Sequence, residues 1–386
     1  MRSVYIVEAV RSPIGKTNGA LLHVRPEKLL SQLISHMKMP KWVTFDDVLI
    51  ATTVGLGGNL ARLSVLESGL SMKTTAATLD FQCGGSLKAL EYGFYSIASG
   101  FKDVVLVGGV ESTSQEPTVI LNKNDPKYHG PVPQSRGQFA PEAIGDPDMI
   151  VGAENCYKLL NPALEEIEDI VLSSHEKAVS ASLEGLLTPF ICPIKVDDDH
   201  LVIHDESVRT RMSRRLIQRA KPLVAEEGYS TAANSCLTHD GASLMILMSE
   251  QKMKVLGLKP LVEIIDVESV GINPNYSPLG AAAATKKLMK KNKLEGEAIA
   301  AVEVNEAFAI KTWSMHKLLG LDKARINPLG GALAYGHPYG ATGGILMTHL
   351  IVDMQRAPQD YGIATMGVAG GQGIAVLVRK SNETVV

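Results

Sequence analysis

The chain has 386 residues, 45% of them hydrophobic and 20% charged, with a formal net charge of -3. That length exceeds one simple core and suits two or three packed units, and the balanced charge gives no reason to expect nucleic acid or an anionic membrane as partner. Abundant glycine (35 residues) with only 5% aromatics favours α/β packing with many tight strand–helix turns over a β-sandwich.

Met1 to Val10 lacks the apolar core of a secretory leader and alternates like a strand. Asp47 to Ala51 reads as a buried strand, and Asn59 to Ser68 as a helix closed by Gly69. A helix starts at Cys83 and runs to Gly100, followed by a buried strand at Asp103 to Gly108. Residues 115–236 are rich in Pro, Asn, Asp and charge, and read as an inserted lobe. Within it, Asn161 to Ala181 has the spacing of an amphipathic helix entered through Asn161-Pro162. Ile299 to Val304 is a strand, Gly340 opens a helix over Ala341 to Met354, and Tyr361 to Val368 is a strand ending in glycines.

The element order near the start thus returns near the end. Ile50 and Val302, Cys83 and Tyr339, and Gly108 and Gly367 are separated by nearly the same interval, which predicts a duplicated α/β half. The expected units are 1–114 completed by 237–258, the inserted 115–236, and 259–386. No run of about 18 apolar residues escapes charge or glycine, so no membrane span is expected. The closing SNETVV carries no retention or peroxisomal signal. Cys83, Cys156, Cys192 and Cys236 are far apart and lack CxxC spacing, which argues against a metal site or disulfide framework and for a reducing cytoplasm.

Cys83 lies in Asp80-Phe81-Gln82-Cys83-Gly84-Gly85-Ser86, where an apolar run meets a helix. A thiol on a first helical turn faces unpaired N–H groups and the positive end of the dipole, which favour thiolate. The two glycines admit close approach of a backbone or a substrate. An inert buried cysteine is the alternative. His337, in Tyr335-Gly336-His337-Pro338-Tyr339-Gly340, is the candidate proton acceptor, set against a histidine that merely satisfies a turn. Asn305 follows a strand in Asn305-Glu306-Ala307-Phe308-Ala309, where an amide can orient a histidine, hold a water or cap a helix. The turn Gly367 to Gly373 can supply N–H groups to an oxyanion, but it lacks the spacing and the following helix of a dinucleotide site.

These segments, in this order, resemble the thiolase family of acyl-CoA C-acyltransferases over nearly the whole chain. The likeness rests on Ile6 to Lys16, Asn59 to Arg62, CGGSLKA, Gly108 to Ser114, Ala153 to Asn155, Asp240 to Ala242, NEAFA, GGALAYGHPYGATG and GGQG. It implies a five-layered αβαβα fold of two similar halves with an inserted loop domain. It also implies that Cys83 takes the acyl group from CoA as a thioester. His337 would activate Cys83 and, with a water held by Asn305, stabilise the oxyanion of the incoming thioester. Backbone N–H groups of Cys83 and Ala369 would form a second oxyanion hole. Arg209 would contact the nucleotide end of CoA, and Met149 and Phe308 would line the acyl pocket. CoA thioesters enter as substrates, no cofactor is bound permanently, and a homodimer or homotetramer is implied.

The chain departs from that pattern at Gly367, where most thiolases carry the second cysteine that removes an α-proton before carbon–carbon bond formation. Loss of a positioned acid/base costs about 10²–10⁴-fold, which puts ordinary Claisen chemistry in question. A related subfamily also has glycine here but supplies its cysteine from an HDCF motif, and NEAFA supplies none. Cys236 stands where the family has a serine near the pantetheine arm, as a substitute base or a small buried residue. Asp80 replaces an asparagine and would raise the Cys83 pKa if turned inward, or cap the turn if not. Three functions follow: acyl transfer in thiolysis or condensation, a decarboxylative condensation like that of the ketoacyl synthase III branch, and a degenerate partner protein.

Overall fold

The computed structural model describes residues 1–40 and 43–381, so most of the terminal SNETVV lies outside the described residues. Nine strands form one continuous path. They are β1 (Val4–Arg11), β2 (Asp47–Ala51), β3 (Thr75–Leu79), β4 (Val104–Glu111), β5 (His239–Ser249), β6 (Val262–Gly271), β7 (Ile299–Val304), β8 (Tyr361–Val368) and β9 (Gln372–Lys380). Their order is β7-β8-β9-β6-β1-β5-β4-β2-β3. The two halves meet at a short antiparallel ladder of β1 with β6, at Val4 with Ile264, Tyr5 with Glu263 and Ile6 with Val262.

Eight helices matter for the site and its supports: α1 (Pro26–His36), α2 (Leu60–Glu67), α3 (Gly85–Ala98), α4 (Met149–Leu160), α5 (Leu164–Leu183), α6 (Gly280–Asn292), α7 (Ala309–Leu319) and α8 (Thr342–Arg356). The strand period of two sorts side chains into layers. On β4, Val105 and Val107 face a central core with Leu87 and Leu90 of α3 and Met347 and Leu350 of α8. Val104, Leu106 and Val110 face the opposite way, onto Leu30 and Leu33 of α1 and Val65 of α2. The second half repeats this. Met366 and Val376 face the central core, while Ile363 and Leu377 face Leu288 of α6 and Met315 of α7. The result is α1/α2, sheet, α3/α8, sheet, α6/α7. This is the five-layered αβαβα arrangement.

The helix expected over Asn161 to Ala181 is shifted. Asn161 adopts φ 44 and ends α4 as its left-handed cap, and α5 starts only at Leu164, beyond Pro162. Proline cannot donate the N–H that a helix continuing from α4 would need, so α5 starts beyond it. Strand boundaries elsewhere fall close to expectation, and Asn59 caps α2 by accepting from the Arg62 N–H.

The segment between the halves is anchored by charge. Arg11, fully buried at the end of β1, makes a two-pronged pair with Asp205 (Nη1–Oδ1 and Nη2–Oδ2, each 2.8 Å), and Asp205 also accepts from the Ile14 N–H. Burial pushes the Asp205 carboxyl upward, but the Arg11 charge and hydrogen bonds outweigh it and hold the carboxyl below its ordinary value. No helix among the described residues is long and apolar enough to cross a membrane.

Candidate active site

The two central helices α3 and α8 begin at the same place. Cys83 sits in a 3-10 turn (Gln82–Gly84) directly before α3, and the matching turn Tyr339–Ala341 precedes α8. The turns approach closely because small residues face each other. A Cβ on Gly85 would lie 2.5 Å from the Ala51 Cβ and 3.6 Å from the Gly340 Cα, and one on Gly84 would lie 2.8 Å from Val368 Cγ2. Both glycines therefore serve backbone packing against the ends of β2 and β8 rather than leaving a gap for substrate. The Gly344 N–H donates to Ser86 Oγ (3.0 Å), locking α8 onto α3.

Gln82 holds an unusual backbone, φ 46, immediately before the nucleophile candidate. Such strain persists only where neighbours impose it. Here the Asp80 carboxylate accepts from the Gln82 N–H (2.8 Å) and from its side-chain amide. Asp80 thus caps the turn, the harmless alternative raised by the sequence, although its charge still adds slightly to the thiol's shift.

The thiolate expected at Cys83 from its helix terminus is not what the site favours. Burial pushes the thiol up to about 11, Glu111 and Asp80 add to this, and Lys311 opposes it. The dipole of a helix end falls off within a turn and is outweighed by desolvation. Cys83 at neutral pH is a protonated thiol that needs a base. We expect iodoacetamide labelling of Cys83 in the substrate-free protein to keep accelerating past pH 9.0, its ordinary pKa. A plateau near neutrality would contradict this.

His337 lies 3% exposed in the turn between a short helix (Ala332–Tyr335) and α8. Gly336, at φ 109, lets the chain reverse there with its Cα against the His239 ring. The imidazole is held on both edges. Its Nδ1–H donates to Thr342 Oγ1 (2.6 Å), and Nε2 accepts from Asn305 Nδ2 (3.2 Å). Burial, then the charges of Lys311 and His239, hold the ring well below its ordinary pKa, so it is neutral and able to take a proton. Asn305, fully buried at the end of β7, is not a helix cap, because α7 starts four residues later at Ala309. Among the described residues its Oδ1 has no hydrogen-bond partner.

The other expected residues divide. Ala369 is buried in the turn joining β8 to β9, beside the Val368 that packs on Gly84. Cys236 donates its N–H to the Ala307 oxygen (2.8 Å), next to the NEAFA segment. Its thiol is pushed up to about 12 by burial, with Cys83 adding and Lys311 opposing, which leaves it a poor base at neutral pH. Met149 and Phe308 share one apolar cluster with Cys156, Cys236 and Trp313. Arg209 is exposed and lies in an irregular segment before the short helix Arg214–Gln218.

Gly367 is more than a missing side chain. A Cβ there would lie 2.8 Å from both the Ser277 and the Pro278 carbonyl oxygens, so the backbone has closed over the space that a cysteine would occupy. Three functional neighbours escaped the sequence reading. Thr342 orients His337. Glu111 accepts from the N–H groups of Thr53, Val54 and Gly340, bracing the turn after His337. Lys311, 1% exposed on α7, donates from Nζ to the Gly367 oxygen (3.2 Å). Glu111 and Thr342 stand inside segments already singled out. Lys311 stands two residues beyond one, on a helix buried on most sides, where periodicity gives no warning of an inward charge.

A family model described as the thiolase N-terminal domain matches residues 4–251, and one described as the thiolase C-terminal domain matches residues 258–380. A protein of Staphylococcus epidermidis that bears the name of an acetyl-CoA C-acetyltransferase, VraB, is 37% identical over 385 residues, covering 98% of this chain and 99% of its own length. The crystal structure of the Bacillus anthracis acetyl-CoA acetyltransferase superposes with a TM-score of 0.91 at 29% identity, covering 99% of both chains. Human mitochondrial 3-ketoacyl-CoA thiolase in complex with CoA superposes with a TM-score of 0.90 at 28% identity, covering 98% of each. The chain belongs to the thiolase family, a family of acyltransferases.

Proposed function

We propose that the protein is an acyl-CoA acyltransferase that carries its acyl group on Cys83 and acts in thiolysis or condensation of 3-ketoacyl-CoA and acetyl-CoA. The observation that carries this reading is the convergence of the Cys83 turn and the His337 turn at the starts of α3 and α8, with the imidazole kept neutral and fixed by Thr342 and Asn305. A neutral ring can accept the thiol proton as sulfur attacks a thioester carbonyl, and return it to the departing CoA sulfur. The unpaired Asn305 Oδ1 suits a water that donates toward the developing oxyanion. N–H groups of Cys83 and Ala369 would serve the acyl-enzyme in the same way, with Met149 and Phe308 against the acyl chain and Arg209 toward the nucleotide end. CoA thioesters as the diffusible substrates and a homodimer or homotetramer complete the proposal.

The closed space at Gly367 favours one second reading, a decarboxylative condensation that needs no base, because loss of CO₂ itself supplies the carbanion. Two incubations separate the readings. With acetyl-CoA the protein should release about one CoA per chain and gain one acetyl group. With malonyl-CoA it should release no CO₂ above background. CO₂ release that depends on Cys83 supports the decarboxylative reading instead, and absence of labelling by either thioester overturns both.

A further inference from the structure

The residue that fills the neighbourhood of the missing cysteine is a lysine. Lys311 reaches from α7 into the site and makes one hydrogen bond to protein there, Nζ to the Gly367 oxygen at 3.2 Å. That is the residue at which most thiolases carry their second cysteine. An ammonium has three donors, so a charged Lys311 would leave two unmet in a buried position. The titratable groups that act on it are the thiols of Cys83, Cys236 and Cys156, which stay protonated at neutral pH, and among the described residues no carboxylate forms an ion pair with it. Lysines almost never bury fully without a paired anion. Lys311 also acts on His337 and lies 5.9 Å from the Phe308 ring centre. A structural role explains this poorly, since a neutral glutamine or a methionine would fill α7 at lower cost.

We propose that Lys311 is a catalytic acid/base that takes the place of the second cysteine and moves the α-proton of the acyl-CoA bound opposite Cys83. The assignment rests on the acyl-transfer reading given above. In condensation, the Nζ lone pair takes a proton from the α-carbon, the C–H electrons form the new bond to the Cys83 thioester carbonyl, and the Cys83–carbon bond breaks to release thiolate. In thiolysis the order reverses. Cys83 sulfur attacks the 3-keto carbonyl, the C2–C3 bond breaks, and the Lys311 ammonium delivers its proton to C2. Burial lowers the lysine's pKa, which favours the free amine that takes the α-proton.

The test uses the full-length protein and acetyl-CoA in deuterated buffer, following two quantities: acetylation of Cys83, and exchange of the acetyl α-hydrogens. K311M fills the same volume without a charge, and K311Q can still donate to the Gly367 oxygen but cannot act as a base. Both variants are expected still to form acetyl-Cys83, and to lose exchange, counted per acetylated chain, by about 10²–10⁴-fold. Intact acetylation also certifies that each variant is folded. Exchange retained within about threefold in K311M, or restored in K311Q, overturns the assignment and leaves Lys311 a structural donor. So does a wild-type protein that acetylates but exchanges nothing. A wild-type protein that does not acetylate overturns the acyl-transfer reading itself, and this assignment with it.

Discussion

Replacing His337 by Ala is expected to slow acetylation of Cys83 by about 10²–10⁴-fold without unfolding the protein. The thiol is held near 11 by burial, so at pH 7 only about one molecule in 10⁴ carries thiolate without help. The His337 ring is neutral and fixed, which makes it the candidate acceptor for that proton. The pH dependence has a definite sign. Protonating the imidazole removes the acceptor, so acetylation should fall as pH drops through the His337 pKa, which lies well below 6.5. The rate should therefore hold steady through the pH at which an ordinary histidine would already have lost it. Stopped-flow release of CoA measures this. A His337→Ala rate within threefold of wild type would contradict the role.

Asp205→Ala is expected to cost about 3–5 kcal/mol of stability, because it leaves the Arg11 guanidinium buried and uncompensated. The effect reaches the site region indirectly. Glu206, the next residue, accepts from the N–H groups of Lys16 and Ala20, so the same short stretch pins the loop after β1. The carboxyl's folded pKa is lowered, so its stabilisation is present above the unfolded value of about 4 and is lost as pH falls through the folded value. Urea unfolding of the two proteins at neutral and acidic pH provides the check. A difference below about 1 kcal/mol at pH 7 would mean that the pair is not the anchor of this segment.

Much of this was legible in the sequence, for identifiable reasons. The paired helices α3 and α8 were visible because each starts with small residues, and the order of strand and helix around them recurs at a near-constant interval. Cys83, His337 and Asn305 stood out because each sits at an element boundary, where side chains face outward from rigid supports. Three features were not legible. The state of Cys83 depends on burial by residues far away in the chain, including the Glu111 and Lys311 charges, and a local dipole argument cannot weigh them. The meaning of Gly367 depends on the Ser277 and Pro278 carbonyls, 90 and 89 positions away from it. The start of α5 falls later than the expected Asn161 because Asn161 serves as the left-handed cap of α4.

The departure at Gly367 accordingly has two parts. The side chain is gone, and the loop over residues 274–279 has taken its space. Putting a cysteine back would press it against two backbone oxygens, which move only if the loop moves. In the acyl-transfer reading proposed above, proton transfer at the α-carbon comes from another direction, and the α7 face carrying Lys311 reaches the Gly367 carbonyl.

The account stands on acyl transfer to one sulfur, and peptide mapping by mass spectrometry after incubation with acetyl-CoA at pH 7 tests it most directly. The account predicts one acetyl group on the peptide that contains Cys83, absent from the Cys83→Ser variant and discharged by added CoA. Acetylation at Cys236 or elsewhere with Cys83 free, or no acetylation at all in a folded protein, would contradict it.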